Sequence, residues 1–358
     1  MTTKASRAWR SHGDVAVLGT GSALPGSPVS TASLLDRVSH RMDPGTRSLA
    51  EAIAQRLNIQ TRHVSRQLKE RIESPLADSS NAALGARALR AALDEAGLGS
   101  ADLGYLITHT ATPGQPLPSG AARIADLVGF AGPHIEIRQA CTGFANALMI
   151  AFGLLAAPRA LPIAIVGSET GSLFFDLETF TQQRGQLVNL VQIGDGAGAI
   201  ILAPAGAARD RLYGAWYGAT GLHRTPGLEM REGGSDRPSS GPGPLLFSHD
   251  FAAIARAGAG LFDAAADLAR SQAIEPGKAD LIIPHQVSGR IGEHLARHFD
   301  LPDERFFVNA DRIGNTGSAA IWIALDDIRK TGRGKNRECL VLGAEATKYM
   351  HGGFVHAG

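Results

Sequence analysis

The second half of this chain repeats the first, and few features narrow a fold more. A helix followed by DLGYLITHTATP at 102–113 is matched by a helix followed by DLIIPHQVSG at 280–289, which sets His109 opposite His285. ACTGFANALMIA at 140–151 is then matched by GNTGSAAIWIAL at 314–325, so that Cys141 stands opposite Asn315 and Gly143 opposite Gly317. IAIVGSET at 163–170 and LVLGAEAT at 340–347 follow in the same order. Such self-similarity marks one supersecondary unit used twice. Two units of this kind predict two similar α/β layers about a pseudo-twofold axis, with the N-termini of two long helices meeting at the centre. The halves run 1–205 and 206–358.

Elements can be placed within that frame. DVAVLGTGSALP at 14–25, LGYLITHT at 103–110 and LPIAIVGSET at 161–170 read as buried strands. SSNAALGARALRAALDEAG at 79–97 has Ala and Leu at helical spacing, Ser and Asn ahead of it as caps and Gly97 behind. His63, with Arg56, Arg62 and Arg66, reads as a solvated surface. The glycines of VQIGDGAGAIILAPA at 191–205 allow a tight path into a strand, and packing explains them better than phosphate binding. From 206 to about 244 the chain is rich in Gly, Pro, Ser and Arg and reads as an exposed excursion. In the second half, helices are predicted at 250–272, 288–298 and 311–330, and strands at 279–286, 305–310 and 338–347.

Composition excludes several classes. With 358 residues, 44% of them hydrophobic, the chain can bury a large core. Lys and Arg number 35 against 34 acidic residues, so there is no bulk basic field and no nucleic-acid partner is expected. Two cysteines, Cys141 and Cys339, do not make a disulfide framework, and a reducing, cytoplasmic setting is the simpler reading. No apolar run reaches the roughly 18 residues a membrane span needs, and the N-terminus has no apolar signal segment.

Cys141 is the candidate nucleophile. A short run ending at Ala140 delivers it to the first turn of a long apolar helix that runs on to Leu155. The free N–H groups and the dipole of a helix start favour a thiolate there. Thr142 offers a capping hydroxyl, and Gly143 leaves room for a substrate. On this stretch alone a small core residue fits as well, since free cysteine is often buried. The repeat decides for chemistry: it brings His285, at the end of a strand where α/β folds place ligands, beside Cys141 and Asn315.

Cys in ACTGF, His in PHQ and Asn in GNTGSA, with GDGAGA between them and GGF at the end, resemble the thiolase superfamily, in particular its β-ketoacyl-ACP synthase III branch. The resemblance runs from about residue 15 to the C-terminus. It implies a thiolase fold, two α/β halves in five layers α-β-α-β-α. It also implies that Cys141 holds an acyl group from acyl-CoA or an acyl carrier protein, which then undergoes decarboxylative condensation with malonyl-ACP. His285 and Asn315 would bind the malonyl thioester carbonyl, and the backbone N–H groups of Cys141 and Gly352 would form the oxyanion hole. Arg290 matches a position that docks the carrier, and Arg184 one beside the coenzyme A nucleotide. A homodimer is implied, its acyl tunnel lined by ATPGQPLPSG at 111–120. No metal and no bound cofactor are expected.

The chain departs from the family in places. PHQAN is here PHQVS, so Ser288 replaces an asparagine; His351 stands where glycine is common; and no tryptophan lies between Trp9 and Trp216. These changes fit a specialised member in polyketide, aryl-polyene or resorcinol-type biosynthesis, acting on an unusual acyl chain. The alternative is an acyltransferase that moves the chain to a hydroxyl or amine without forming a carbon–carbon bond. Cys339, inside an apolar strand, reads as core.

Overall fold

The computed structural model describes residues 7–206, 208–239, 241 and 244–358, and the side chain of Arg184 lies outside the described residues. The first half runs β1 (Asp14–Ala23), α1 (Thr31–Arg37), α2 (Pro44–Leu57), α3 (Asn81–Ala96), β2 (Tyr105–Thr110), α4 (Gly120–Val128), β3 (His134–Arg138), α5 (Gly143–Leu155), β4 (Ile163–Glu169), α6 (Arg184–Gln192) and β5 (Gly196–Pro204). The second runs β6 (Arg211–Ala219), β7 (Leu228–Met230), β8 (Phe247–His249), α7 (Phe251–Arg270), β9 (Leu281–Pro284), α8 (Ile291–Phe299), α9 (Ala310–Ile313), α10 (Ala320–Lys330), β10 (Glu338–Glu345) and β11 (Met350–Ala357). The caps of α3 are those its sequence predicts: Ser80 accepts from the Ala83 N–H, and Gly97 closes the helix at φ 66°.

The main sheet has the order β9-β10-β11-β6-β1-β5-β4-β2-β3, with the two-residue strand Trp9–Arg10 beside β6. The order is symmetric about the β6/β1 seam. Parallel β2 and β4 answer parallel β9 and β10, and antiparallel β4 and β5 answer antiparallel β10 and β11. The seam itself is short, pairing Asp14, Val15 and Ala16 with Tyr213, Leu212 and Arg211.

Burial on both faces of each strand produces the layers. On β4, Ile163 and Ile165 face one cluster while Ala164 and Val166 face another. On β10, Cys339 and Val341 join the first of these, and Leu340 and Leu342 a third. The shared cluster holds α5 and α10, with Phe144, Leu148, Phe152, Trp322, Leu325 and Ile328 between the two half-sheets. Helices α3 and α4 cover one outer face, α7 and α8 the other. The result is the five-layer α-β-α-β-α arrangement of the thiolase fold. Helix α5, GFANALMIAFGLL, carries no charge, and Phe144, Ala147, Leu148, Ala151 and Phe152 are buried in this layer, while Gly153 and Leu154 near its end are exposed. Cys339 is fully buried in this central layer.

The glycines of GDGAGA serve packing. A Cβ at Gly198 would strike Trp322 of α10, and Asp195 accepts from the N–H of Ser65 (2.7 Å) and of Ser172 (2.9 Å).

Two readings from sequence are corrected here. The stretch from 206 is an exposed excursion only in part: β6 is a central strand with Trp216 fully buried and β7 pairs with β8 in a hairpin, whereas 222–225 and most of 231–239 are exposed. Gly214, at φ 55°, forms a bulge there, an extra residue between the pairs Gly353↔Trp216 and Val355↔Tyr213. Nor are Arg62, His63 and Arg66 solvated, although Arg56 is. The Arg62 guanidinium donates to the Val191 carbonyl (2.7 Å) and Thr31 Oγ1 (2.9 Å), and Arg66 donates to the Phe175 carbonyl (3.1 Å). Irregular segments expose carbonyls, and buried arginines satisfy them. No helix among the described residues is long and apolar enough to cross a membrane.

Candidate active site

Cys141 sits in the turn just ahead of α5, half-buried, two residues before the first helical residue Gly143. Thr142 is the N-cap residue but makes no side-chain cap bond. Its hydroxyl donates to Glu345 Oε2 (2.7 Å) and accepts from Gln139 Nε2 (2.8 Å), while its N–H also donates to Glu345 Oε2 (2.7 Å). The space beside Gly143 is filled by the His109 ring and is not open to a substrate.

Cys141 and Asn315 line one cavity of about 920 Å³. Phe174, Met230, Leu245 and Phe247 supply apolar wall, and Ala111, Pro113 and Pro116 of the Pro-rich loop close another side. Glu169 and Glu345, both buried, also line it. Burial, followed by the charges of Glu345 and Glu169, pushes the Cys141 thiol well above its ordinary range. This reverses the easy ionisation expected at a helix start: the backbone N–H favours the thiolate, but desolvation and two neighbouring carboxylates outweigh it.

Asn315 is clamped by its backbone. Its N–H donates to the Gln192 carbonyl (2.8 Å) and its carbonyl accepts from the Gly194 N–H (3.1 Å). Oδ1 accepts from the Gly317 N–H (3.0 Å), which leaves Nδ2 as the outward donor. His285 follows β9 directly, and its N–H donates to the Leu342 carbonyl (2.8 Å). The ring is 1% exposed, and neither nitrogen has a partner among the described residues. Burial pushes its pKa down to about 4, so the imidazole is neutral at physiological pH. A buried neutral ring with both nitrogens unmet is costly unless a ligand or water answers it.

The repeat partner His109 is different. Its Nε2 accepts from Trp322 Nε1 (2.9 Å), and its pKa is pushed down to about 3 by complete burial.

Other candidates land elsewhere. Gly352 lies inside the sheet, opposite Gly343 of β10 and Tyr217 of β6, with Ala145 of α5 packed over it, and it does not line the cavity. His351, one residue before, points to the opposite face, against Gly218 and Leu268 of α7. Ser288 accepts from the Arg290 N–H (3.3 Å) in the turn into α8 and lies off the cavity. Arg290 is the N-cap residue of α8 and pairs with Glu293 at 3.3 Å on the surface. Arg184 starts α6.

Sequence reasoning missed Glu169 and Glu345. They end β4 and β10 and are separated by the same spacing as His109 and His285. The repeat carried that signal only after a one-residue shift from the register that sets Ile163 opposite Leu340. The β7/β8 hairpin wall had none, since glycine and proline mask its pattern.

The comparisons with known proteins fall in line with this geometry. Residues 135–221 match the family profile described as 3-Oxoacyl-[acyl-carrier-protein (ACP)] synthase III, and residues 269–355 match its C-terminal counterpart. A β-ketoacyl-[acyl-carrier-protein] synthase III of Sphingopyxis alaskensis is 32% identical over 347 residues, which span 94% of this chain and 95% of that protein. Among solved structures, the tetronic acid condensing enzyme AbyA1 superposes with a TM-score of 0.80 at 26% identity, covering 96% of this chain and 100% of that one. The 3-oxoacyl-(acyl carrier protein) synthase III of Pseudomonas aeruginosa shares the fold, with a TM-score of 0.78 at 24% identity over 96% of this chain and 98% of that one.

Proposed function

Since this chain belongs to the 3-oxoacyl-[acyl-carrier-protein] synthase III family of condensing enzymes, we propose that Cys141 of the half 1–205 is the acylated residue and that His285 and Asn315 of the half 206–358 drive the condensation. The observation that carries this reading is the cavity that Cys141 shares with Asn315, together with a neutral buried His285 whose nitrogens have no protein partner. The acyl donor is a coenzyme A or carrier-protein thioester. Sγ attacks its carbonyl, a new S–C bond forms, the donor's C–S bond breaks, and the thiol proton leaves with the donor's sulfur. The backbone N–H groups of Cys141 and Gly352 stabilise the tetrahedral oxyanion.

A malonyl unit on acyl carrier protein then loses CO₂, and its electron pair becomes an enolate. His285 supplies one N–H to the enolate oxygen and Asn315 Nδ2 another. Such preorganised donors matter most in a dry site, where they meet charge as it develops. The enolate attacks the acyl carbon, the bond to Sγ breaks, and the thiol recovers a proton from solvent. Arg290, exposed at the start of α8, supports docking of an acidic carrier. The likeness to a tetronic acid condensing enzyme and the unusual residues at 288 and 351 support a specialised rather than housekeeping role.

The sheet edge supports a homodimer. Strand β3 is the last strand, pairs with β2 on one side, and leaves Ile135 39% exposed; a second β3 would extend the sheet and cover it. Gel filtration is expected to give twice the chain mass, and an active monomer would overturn this. A cytoplasmic setting accords with two free thiols.

The test is intact-mass spectrometry after incubation with a panel of acyl-CoA and acyl-carrier thioesters, followed by malonyl carrier protein. An acyl adduct chased into a ketoacyl product is expected. An adduct released by an alcohol or amine, and untouched by malonyl carrier, would replace condensation with simple acyl transfer.

A further inference from the structure

Glu169 and Glu345 end the matching strands β4 and β10, and each takes hold of a helix start in the opposite half. Glu345 accepts from the N–H and the hydroxyl of Thr142, both at 2.7 Å. By the repeat, Glu169 should do the same at Thr316, the partner of Thr142. Instead its Oε2 accepts from the N–H (3.1 Å) and the hydroxyl (2.8 Å) of Ser318, two residues farther on. Thr316 Oγ1, fully buried, is left with no partner among the described residues.

That slip shapes the turn that carries Asn315. With the Ser318 N–H held by Glu169, the Gly317 N–H points back to Asn315 Oδ1 (3.0 Å) and closes a side-chain turn. Gly317 sits at φ 49°, and a Cβ there would stand 2.7 Å from Glu169 Oε2, so the carboxylate fills the space of the missing side chain. Its other oxygen accepts from the Thr112 hydroxyl, and Thr112 Oγ1 accepts in turn from the Thr170 N–H (2.8 Å). Glu169 therefore lines the cavity with both oxygens engaged by protein donors, as an anchor and not as a proton carrier. An amide tied down through Oδ1 offers a substrate its Nδ2.

We propose that Glu169 is a positioning residue for decarboxylation: by holding the Gly317–Ser318 backbone it sets the direction in which Asn315 Nδ2 meets the enolate oxygen. This rests on Asn315 being a donor in that step. Glu169 acts through Asn315 and has no direct part in the charge that develops on the malonyl thioester. Its worth is geometric, because a donor stabilises that charge only when it is already aimed at it. His285 is held separately, by its backbone on β10, and does not depend on the same clasp.

The experiment is release of CO₂ from malonyl acyl carrier protein by the full-length protein, which needs no acyl donor. It compares wild type with Glu169→Ala, Asn315→Ala and His285→Ala, and with Glu169→Ala combined with each of the other two. Cys339 is fully buried, so its failure to react with iodoacetamide, read by peptide mass, certifies that a variant is folded. Glu169→Ala is expected to slow release about tenfold, the scale of a misplaced but present donor. Combined with Asn315→Ala it should add nothing, because the group it aims is gone; combined with His285→Ala the two losses should multiply. General damage to the fold would multiply with both. Glu169→Gln, whose carbonyl can serve Ser318 while its amino group faces Thr112, should restore most of the rate. If Glu169→Ala does not fold, Ser318→Ala, which removes one of the two donors to the clasp, should give the same pattern in milder form. Full release in the folded variant, or losses that multiply with Asn315→Ala, would overturn the proposal. Full release in Asn315→Ala would instead strike the role assigned to Asn315, and this proposal with it, whereas slow release there beside an unaffected Glu169→Ala strikes this proposal alone.

Discussion

Cys141→Ala is expected to leave no acyl adduct with any thioester donor and to lower ketoacyl formation at least about 10⁴-fold, the scale seen when a covalent nucleophile is removed. The loss is this large because nothing else in the cavity can replace the sulfur. Cys339 is fully buried in the central layer, and burial pushes its thiol up to about 12. No other thiol lines the cavity, whose remaining polar side chains are carboxylates, amides, Arg138, His249, Thr347 and Lys348. Decarboxylation of malonyl carrier depends on His285 and Asn315, so slow release of CO₂ should survive in this variant. Intact mass and CO₂ release, measured on one preparation, check the two halves of the expectation. An adduct that persists in Cys141→Ala would move the nucleophile elsewhere.

His285→Ala and Asn315→Ala should show the reverse pattern. The acyl adduct forms, and its chase by malonyl carrier slows about 10²- to 10³-fold for each variant, the usual effect of deleting one preorganised donor. Single-turnover chase of pre-acylated enzyme reads this directly. The neutral state of His285 sets the pH behaviour. Its pKa in the folded protein lies near 4, below the ordinary 6.5, so the ring gains a proton only as pH falls toward 4. Between pH 6 and 8.5 the chase should therefore show no acid limb from this residue. Loss of the adduct with an unchanged chase rate would reverse the assigned roles.

The repeat made much of this readable in advance. It placed β2, β4, β9 and β10, the helices α5 and α10, and the meeting of Cys141 with Asn315, because a hydrophobic period and an invariant order survive duplication. What it could not carry were contacts between distant segments. Arg62 looks solvated until the Val191 carbonyl, far along the chain, comes to meet it. Strand β6 is hidden by Gly214 and Gly218, which break the alternation that betrays a strand. The thiol was misjudged for the same reason. A helix start is visible in ACTGF, but the carboxylate that occupies it comes from β10, on the other side of the repeat.

The hydrogen bond from Trp322 to His109 has a meaning for how a duplicated protein acquires one active site rather than two. The repeat sets Trp322 of α10 opposite Leu148 of α5. In one copy an indole N–H occupies the ring nitrogen of the strand-end histidine and turns it into packing. In the other, leucine has no proton to give, and His285 is left with both nitrogens unspoken for. The ancestor's symmetry is broken by a single donor, and the copy that lacks it is the one left free to meet a substrate.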